Sequence, residues 1–216
     1  MVDVNSEKTK RILRSGATMT KVSLEDIQKL RERTGMGMMD CKKALEQSNG
    51  NMDEAIDILR KKGASIAAKR GENETGQGLV YAYIHPGSTI GVMVELNCET
   101  DFVARNDDVQ QFAKDLAMHI AALKPLYLDA SSVDPVWLAK EKNLLVEQLK
   151  EEGKKPEFIE KIVEGKVQKI YGDVCLINQK FVKDDKRTVD EILKSLIGKV
   201  GENIKIRRFA RFEVGA

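Results

Sequence analysis

The side chains of this 216-residue chain that could act as nucleophiles, bases or metal ligands are few and widely separated. Cys41, Cys98 and Cys175 show no C-x-x-C spacing, and an odd number of scattered thiols fits poorly with a disulfide framework. His85 and His119 complete no metal-ligand pattern with them. The sequence therefore predicts reduced thiols, no metal and no cofactor. A phosphate-binding G-x-x-x-x-G-K-[ST] loop does not occur, and Gly35-Met36-Gly37-Met38-Met39 lacks both the third glycine and the preceding strand of a dinucleotide fingerprint. Those glycines read as a helix-helix turn. One catalytic reading survives, with Cys98 as nucleophile beside His85 or His119. Against it, Cys98 closes an apolar run in which a packed thiol is the commoner state. Neither histidine pairs with another plausible nucleophile, and the acids are scattered along solvated helix faces. The chain is read as a binding protein rather than an enzyme.

Recognition chemistry is better represented. The stretch Cys98-Glu99-Thr100-Asp101-Phe102-Val103-Ala104-Arg105-Asn106 follows an apolar run, Ile90 to Leu96, that reads as a strand, and precedes an amphipathic segment, Asp107 to Leu123, that reads as a helix. A strand-to-helix turn holds side chains out on a rigid base, and this one carries a large aromatic between an acid and a small aliphatic residue. Two readings stay open: Phe102 and Val103 fold back into the core while Asp101 caps the helix, or Phe102 is presented outward. Met36, Met38, Met39 and Met52 form a second cluster, serving as core filler or, if exposed, as an adaptable binding surface.

The elements that would position these residues give an α+β fold. Ser23 and Asp26 have capping-box spacing before Leu24, Ile27 and Leu30, and Gly35 stops that helix. Asp40 opens a second helix that ends at Asn49-Gly50; Asn51 and Glu54 open a third, closed by Gly63. Three short helices of this kind make a ubiquitin-associated-like module over residues 19–70, with an extra helical stretch at Ala64 to Lys69. Residues 71–78 are polar and glycine-rich and read as a linker. Leu79 to His85 and Thr89 to Cys98, joined by Pro86-Gly87-Ser88, read as a hairpin, and Asn203 to Val214 as a third, half-buried strand. The helix Asp107 to Leu123 offers Val109, Phe112, Leu116, Ile120 and Leu123 to cover this small antiparallel sheet. Within the core domain, residues 79–216, a helical hairpin is expected at about 134–172. Asp134-Pro135 starts its first arm and Pro156 its second. Val174 to Val182 reads as irregular with some strand character, and Thr188 with Glu191 caps a last helix.

At 42% hydrophobic and 32% charged residues, the chain can bury one substantial core and a smaller one. No apolar stretch approaches a membrane span, so a soluble, cytoplasmic protein is expected. Residues 1–18, with mixed charges and little apolar periodicity, read as a flexible leader or an artificial extension. A formal net charge of +2 gives no support to a dedicated nucleic-acid binder. The rival reading, an RNA- or ribosome-binding accessory protein, rests on Lys205, Arg207, Arg208 and Arg211 in the last strand.

Three stretches, Glu99 to Asn106, Arg33 to Leu45 and Gly201-Glu202-Asn203-Ile204, closely resemble elongation factor Ts in the same order, over about Val22 to Gly215. The resemblance implies a guanine nucleotide exchange factor of translation elongation that binds elongation factor Tu, GDP-bound and nucleotide-free, and promotes GDP release by displacing magnesium. It places the wedge at Phe102 and makes Asp101 its polar neighbour. Thr100 and Val103 complete the segment associated with magnesium displacement. It assigns the amino-terminal module to the GTPase domain of the partner, with Met38, Met39 and Asp40 as contacts, and Arg105 and Asn106 as further contacts on the core; His119, beside the apolar stripe of the central helix, reads as a satisfied core-edge histidine or, alternatively, as a partner contact. Some members carry two related core subdomains. This chain shows one core with one T-D-F-V motif, and compact members of that type dimerise, so a homodimer is expected, through the exposed face or edge of the sheet.

Overall fold

The structure, a computed structural model, describes residues 22–215. The leader expected at residues 1–18 lies outside the described residues. Two compact units divide between Lys62 and Gly63.

In the first unit, helix α1 (Leu24–Thr34) starts where Ser23 Oγ accepts the Asp26 N–H at 3.0 Å and donates to the Asp26 carboxylate at 2.7 Å. Gly35, at φ 68°, ends it. Helix α2 (Met38–Gln47) follows with Gly37 as its N-cap, so Asp40 lies in its first turn rather than at the cap. Asn51 then caps helix α3 (Met52–Arg70), its Oδ1 accepting the N–H groups of Asp53 and Glu54 at 3.0 and 3.2 Å. Ile27, Leu30, Met36, Cys41, Ala44, Leu45, Ala55 and Leu59 form one shared core. Helices this short are marginal alone. Full burial of each large aliphatic side chain, worth about 1.5–3 kcal/mol, holds them together.

Gly63 does not close α3, contrary to the sequence reading; the helix runs on to Arg70. The reason lies in the second unit. Gly63 faces Gly198 of helix α8 (Val189–Val200), and a Cβ on Gly198 would lie 2.5 Å from the Gly63 Cα. This glycine permits close approach of two helices and is not a stop signal.

The second unit is built on an antiparallel sheet of β1 (Gln77–Ile84), β2 (Ile90–Cys98) and β5 (Ile204–Glu213), in the order β1-β2-β5. β1 begins inside the stretch expected as a linker. Alternation sends Val92, Val94, Leu96, Ile204 and Ile206 to one face, where they pack in one cluster with Val109, Phe112, Leu116 and Ile120 of helix α5 (Asp107–Leu123). Leu123, expected on that apolar stripe, is largely exposed at the helix end, where Lys124 takes the left-handed cap at φ 49°. The opposite sheet face carries the laddered rows Val80–Glu95–Arg208, Ala82–Met93–Ala210 and Ile84–Gly91–Phe212.

Between α5 and the last strand comes the hairpin of α6 (Pro135–Glu151) and α7 (Pro156–Val174), zipped by Leu149, Ile159, Val163 and Val167. A parallel bridge, Tyr127 to Cys175, pins its base, with Tyr127 N–H donating to Val174 O and Leu176 N–H donating to Tyr127 O. A second small sheet pairs β3 (Lys180–Phe181), the strand character expected within Val174 to Val182, with β4 (Asp184–Thr188) just beyond that stretch. Thr188 and Glu191 form the expected capping box of α8, and Gly201, at φ 77°, ends it. Among the described residues no helix is long and apolar enough to cross a membrane.

The two glycines differ in a testable way. Gly198→Ala drives a methyl group into the α3 backbone and is expected to cost about 1–3 kcal/mol. Gly63→Ala, whose Cβ would meet its nearest neighbour at 3.5 Å, is expected to be neutral or to gain up to about 1 kcal/mol in helix propensity. Urea unfolding of both variants checks this; equal losses would refute the close-approach account.

Candidate functional site

Residues 99–106 connect the end of β2 to the start of α5, and within them lies a single helical turn, α4 (Asp101–Ala104). One turn of helix does not persist by itself, so its geometry must come from its surroundings. Local bonds supply part of it. Thr100, not Asp101, is the N-cap: its Oγ1 accepts the Val103 N–H at 3.3 Å. Cys98 Sγ donates to Thr100 O at 3.0 Å. Gln110 Nε2 donates to Ala104 O at 2.7 Å, and Asn106 caps α5 by accepting the Asp108 N–H at 2.9 Å. Val103 and Ala104 are buried, which fastens the turn to the core.

The remaining support comes from residues distant in sequence. The Thr100 N–H and Oγ1–H donate to the Glu202 carboxylate at 3.1 and 3.0 Å. Reciprocally, the Asn203 N–H donates to the Glu99 carboxylate at 2.6 Å. Glu99 also accepts from Arg70 at 3.0 Å and Asn73 at 3.1 Å, while Asn203 Nδ2 donates to the carbonyls of Asn73 and Gly71. Since Cys98 pairs with Ile204 at the end of the β2–β5 ladder, this crossed pair of carboxylate–amide bonds continues the ladder through side chains. The Asn203 N–H, then the Asn73 amide and the Arg70 charge, hold the Glu99 carboxyl below its ordinary value of 4.5 against the opposing effect of desolvation.

What this frame holds out is Phe102, which is 78% exposed on the buried base of Val103 and Ala104. The two open readings are thus divided between neighbours: Val103 folds inward and Phe102 does not. Asp101 and Arg105 flank the ring, paired with each other at 2.6 Å and both largely exposed. Thr100, Asp101, Phe102 and Arg105 share one surface, with Asn106 partly buried beside it. Val103 supports this surface from beneath and offers little area for direct contact.

The structure decides between the two readings of His119: it is fully buried in α5, stacked on Phe181 with ring centroids 5.6 Å apart, so the core reading holds and the partner contact falls. Its Nδ1 accepts the Val182 N–H at 3.1 Å and its Nε2 lies 3.0 Å from Gln179 Oε1, so the neutral tautomer with hydrogen on Nε2 satisfies both bonds. Burial pushes its pKa down. In the first unit Met38 and Met39 are exposed at the start of α2. Met36 is core, and Asp40 pairs with Lys62.

The rival chemistries lose their residues to structure. Burial raises the Cys98 thiol above its ordinary range, with the nearby Glu202 charge adding to the effect, and neither nitrogen of His119 is available to activate a nucleophile. His85 bonds Tyr83 OH at 3.0 Å. The basic strand is divided: Arg208 pairs with Glu95 at 2.6 Å, and Arg211 pairs with Glu213 at 2.7 Å while donating to Ala121 O. The residues that sequence reasoning missed are Glu99, Glu202, Asn203, Arg70 and Asn73 as supports. Gly201-Glu202-Asn203-Ile204 stood out in the sequence, but without partners in view it carried no role.

The site is thus an exposed aromatic on a braced turn of an α+β core. The sequence model of the family described as "Elongation factor TS" matches residues 9–216. The chain is 50% identical over 194 residues to elongation factor Ts of Geotalea daltonii, covering 90% of each chain. It is 51% identical over 197 residues to that of Desulfitobacterium hafniense, covering 91% of each. To that of Thermosipho melanesiensis it is 47% identical over 194 residues, 90% of this chain and 99% of the relative. The chain belongs to the elongation factor Ts family, the exchange factors of translation elongation.

Glu99 gives a pH prediction. Its carboxyl is depressed in the folded state, so its contribution to stability is complete above its ordinary value of 4.5 and is lost as pH falls through the lowered folded value. Urea midpoints measured from about pH 6 to about pH 3 are expected to fall less steeply for Glu99→Gln than for the parent chain. Parallel curves would remove Glu99 as a source of acid sensitivity.

Proposed function

We propose that the chain promotes GDP release from elongation factor Tu by seating Phe102 as a wedge in the GTPase domain, where it displaces magnesium. The observation that supports this most directly is the exposure of Phe102 on a turn whose every other apolar residue is buried. A backbone already fixed beneath the aromatic leaves only side-chain freedom to be lost on binding. Magnesium bridges nucleotide phosphates to the protein, so small shifts of its ligands weaken the hold on both. Asp101, paired with Arg105, is the polar neighbour of the wedge; Thr100 and Val103 keep it in place. The amino-terminal module adds a second contact through Met38 and Met39, whose flexible thioethers suit an adaptable surface.

No bond is made or broken in the protein. The factor binds the nucleotide-poor form of elongation factor Tu better than the GDP-bound form, and linkage then requires GDP to bind the complex more weakly by the same factor. Truncating a central aromatic anchor costs about 2 kcal/mol or more, roughly 30-fold in affinity. Phe102→Ala is accordingly expected to raise the concentration for half-maximal release of a fluorescent GDP by about that factor while leaving the thermal midpoint unchanged. Full activity of this variant would return the wedge role to another residue.

The chain acts as a homodimer through the outer face of its sheet. Val80, Ile84, Met93 and Phe212 are each at least 50% exposed there, and the Glu95–Arg208 pair stands beside them. A second copy turned about a two-fold axis presents the same apolar rows and an opposite charge to each member of that pair, which makes the face self-complementary. Sedimentation of Met93→Lys at micromolar concentration is expected to give a monomer where the parent chain gives a dimer; a monomeric parent chain would remove this assignment.

A further inference from the structure

The Gly201-Glu202-Asn203 segment has a definite place beside the exposed aromatic. We infer that Glu202 is a positioning residue for Phe102, acting through the hydroxyl of Thr100; the inference rests on the wedge reading above and extends it to a residue outside the exposed turn.

Thr100 Oγ1 has one hydrogen to give and lone pairs to receive. The hydrogen goes to Glu202, at 3.0 and 3.1 Å from its two carboxylate oxygens, which leaves a lone pair aimed at the Val103 N–H, 3.3 Å away. The same carboxylate holds the Thr100 N–H at 3.1 Å. One charged acceptor therefore fixes the backbone at the start of α4 and orients the hydroxyl that caps it. Charge-assisted bonds of this kind are shorter and stronger than neutral ones. Phe102 lies between the cap and the capped amide, so the orientation of its Cα–Cβ bond follows from this arrangement. Its exposed ring has no packing of its own to do that work. Glu202 follows Gly201, the left-handed end of α8, and precedes Asn203, whose N–H is held by Glu99 at 2.6 Å. The backbone that carries the carboxylate is thus held on both sides.

Without Glu202 the turn remains attached through Val103 and Ala104 but loses its fixed direction. Docking must then order it, which raises the concentration needed for half-maximal effect more than it lowers the maximal rate.

The test uses the full chain with Glu202→Ala, Glu202→Gln, Phe102→Ala and the double variant Glu202→Ala/Phe102→Ala. Two readouts are taken: amide hydrogen exchange at Val103 and Ala104, and fluorescent GDP release from elongation factor Tu across factor concentrations. For Glu202→Ala, exchange at Val103 is expected to rise about 10-fold or more with little change in core amides. The half-maximal concentration is expected to rise about 10-fold. Glu202→Gln keeps a neutral acceptor and should recover part of both effects. The double variant should be no worse than Phe102→Ala, because Glu202 acts only through the ring. Unchanged exchange and unchanged release in Glu202→Ala would overturn the inference, as would additive losses in the double variant. If the parent chain itself fails to speed release, the exchange-factor reading falls, whereas the exchange data still decide whether Glu202 orders the turn.

Discussion

The antiparallel pairing of β2 with β5 is the constraint on which the second unit depends. It brings residues about a hundred positions apart into register, and its last pair, Cys98 with Ile204, decides what can meet beyond the sheet. Past that pair the backbones diverge, one into α4 and the other back toward α8, and ladder bonds are no longer available. Glu99 and Glu202 take their place, each accepting the N–H of a residue on the opposite chain. The buried Asn203 N–H, left without a partner at this corner, would cost about 1–3 kcal/mol, whereas the Thr100 N–H is exposed. Glu99 removes that cost, and the two carboxylates together tie the start of the turn to the end of the sheet.

The same pairing explains why the sheet has two unlike faces. Strand alternation commits Val92, Val94 and Leu96 to α5 and leaves Met93 and Glu95 on the other side. The register shift between Glu95 and Leu96 falls where β5 must still deliver Ile206 and Ile204 to the covered face. Covered core and open apolar surface are thus two results of one periodicity.

Much of this was legible in the sequence because it is local. Caps at Ser23, Asn51, Asp134 and Thr188, the three strands and the hairpin arms all declare themselves through spacing over a few residues, and the structure contains them. The failures are nonlocal. Gly63 looks like a stop until Gly198 is seen beside it, and then it is a contact. Asp184–Thr188, with its run of charged residues, has little strand propensity and pairs with Lys180–Phe181 nonetheless. His119 sits beside an apolar stripe, which suggested a place at the core edge but not its partners; Gln179 and Val182, some sixty residues away, supply them. At the site, the exposed aromatic could be singled out by its flanks, but a one-turn helix has no periodicity to read. The residues that brace it lie before β1 and after α8, where only the folded chain brings them together.

The bridge between Tyr127 and Cys175 has a topological meaning. The chain leaves the core just after α5 and returns almost at the same point, with α6 and α7 packed on each other around their own small cluster of Leu149, Ile159, Val163 and Val167. Everything between those two residues is an excursion from a path that is already closed. The arms can therefore gain or lose whole turns of helix without shifting the register of β5, because the ends of the excursion stay fixed whatever its length. The reach of the protein and the aim of its aromatic are separate variables, set by separate stretches of the same chain.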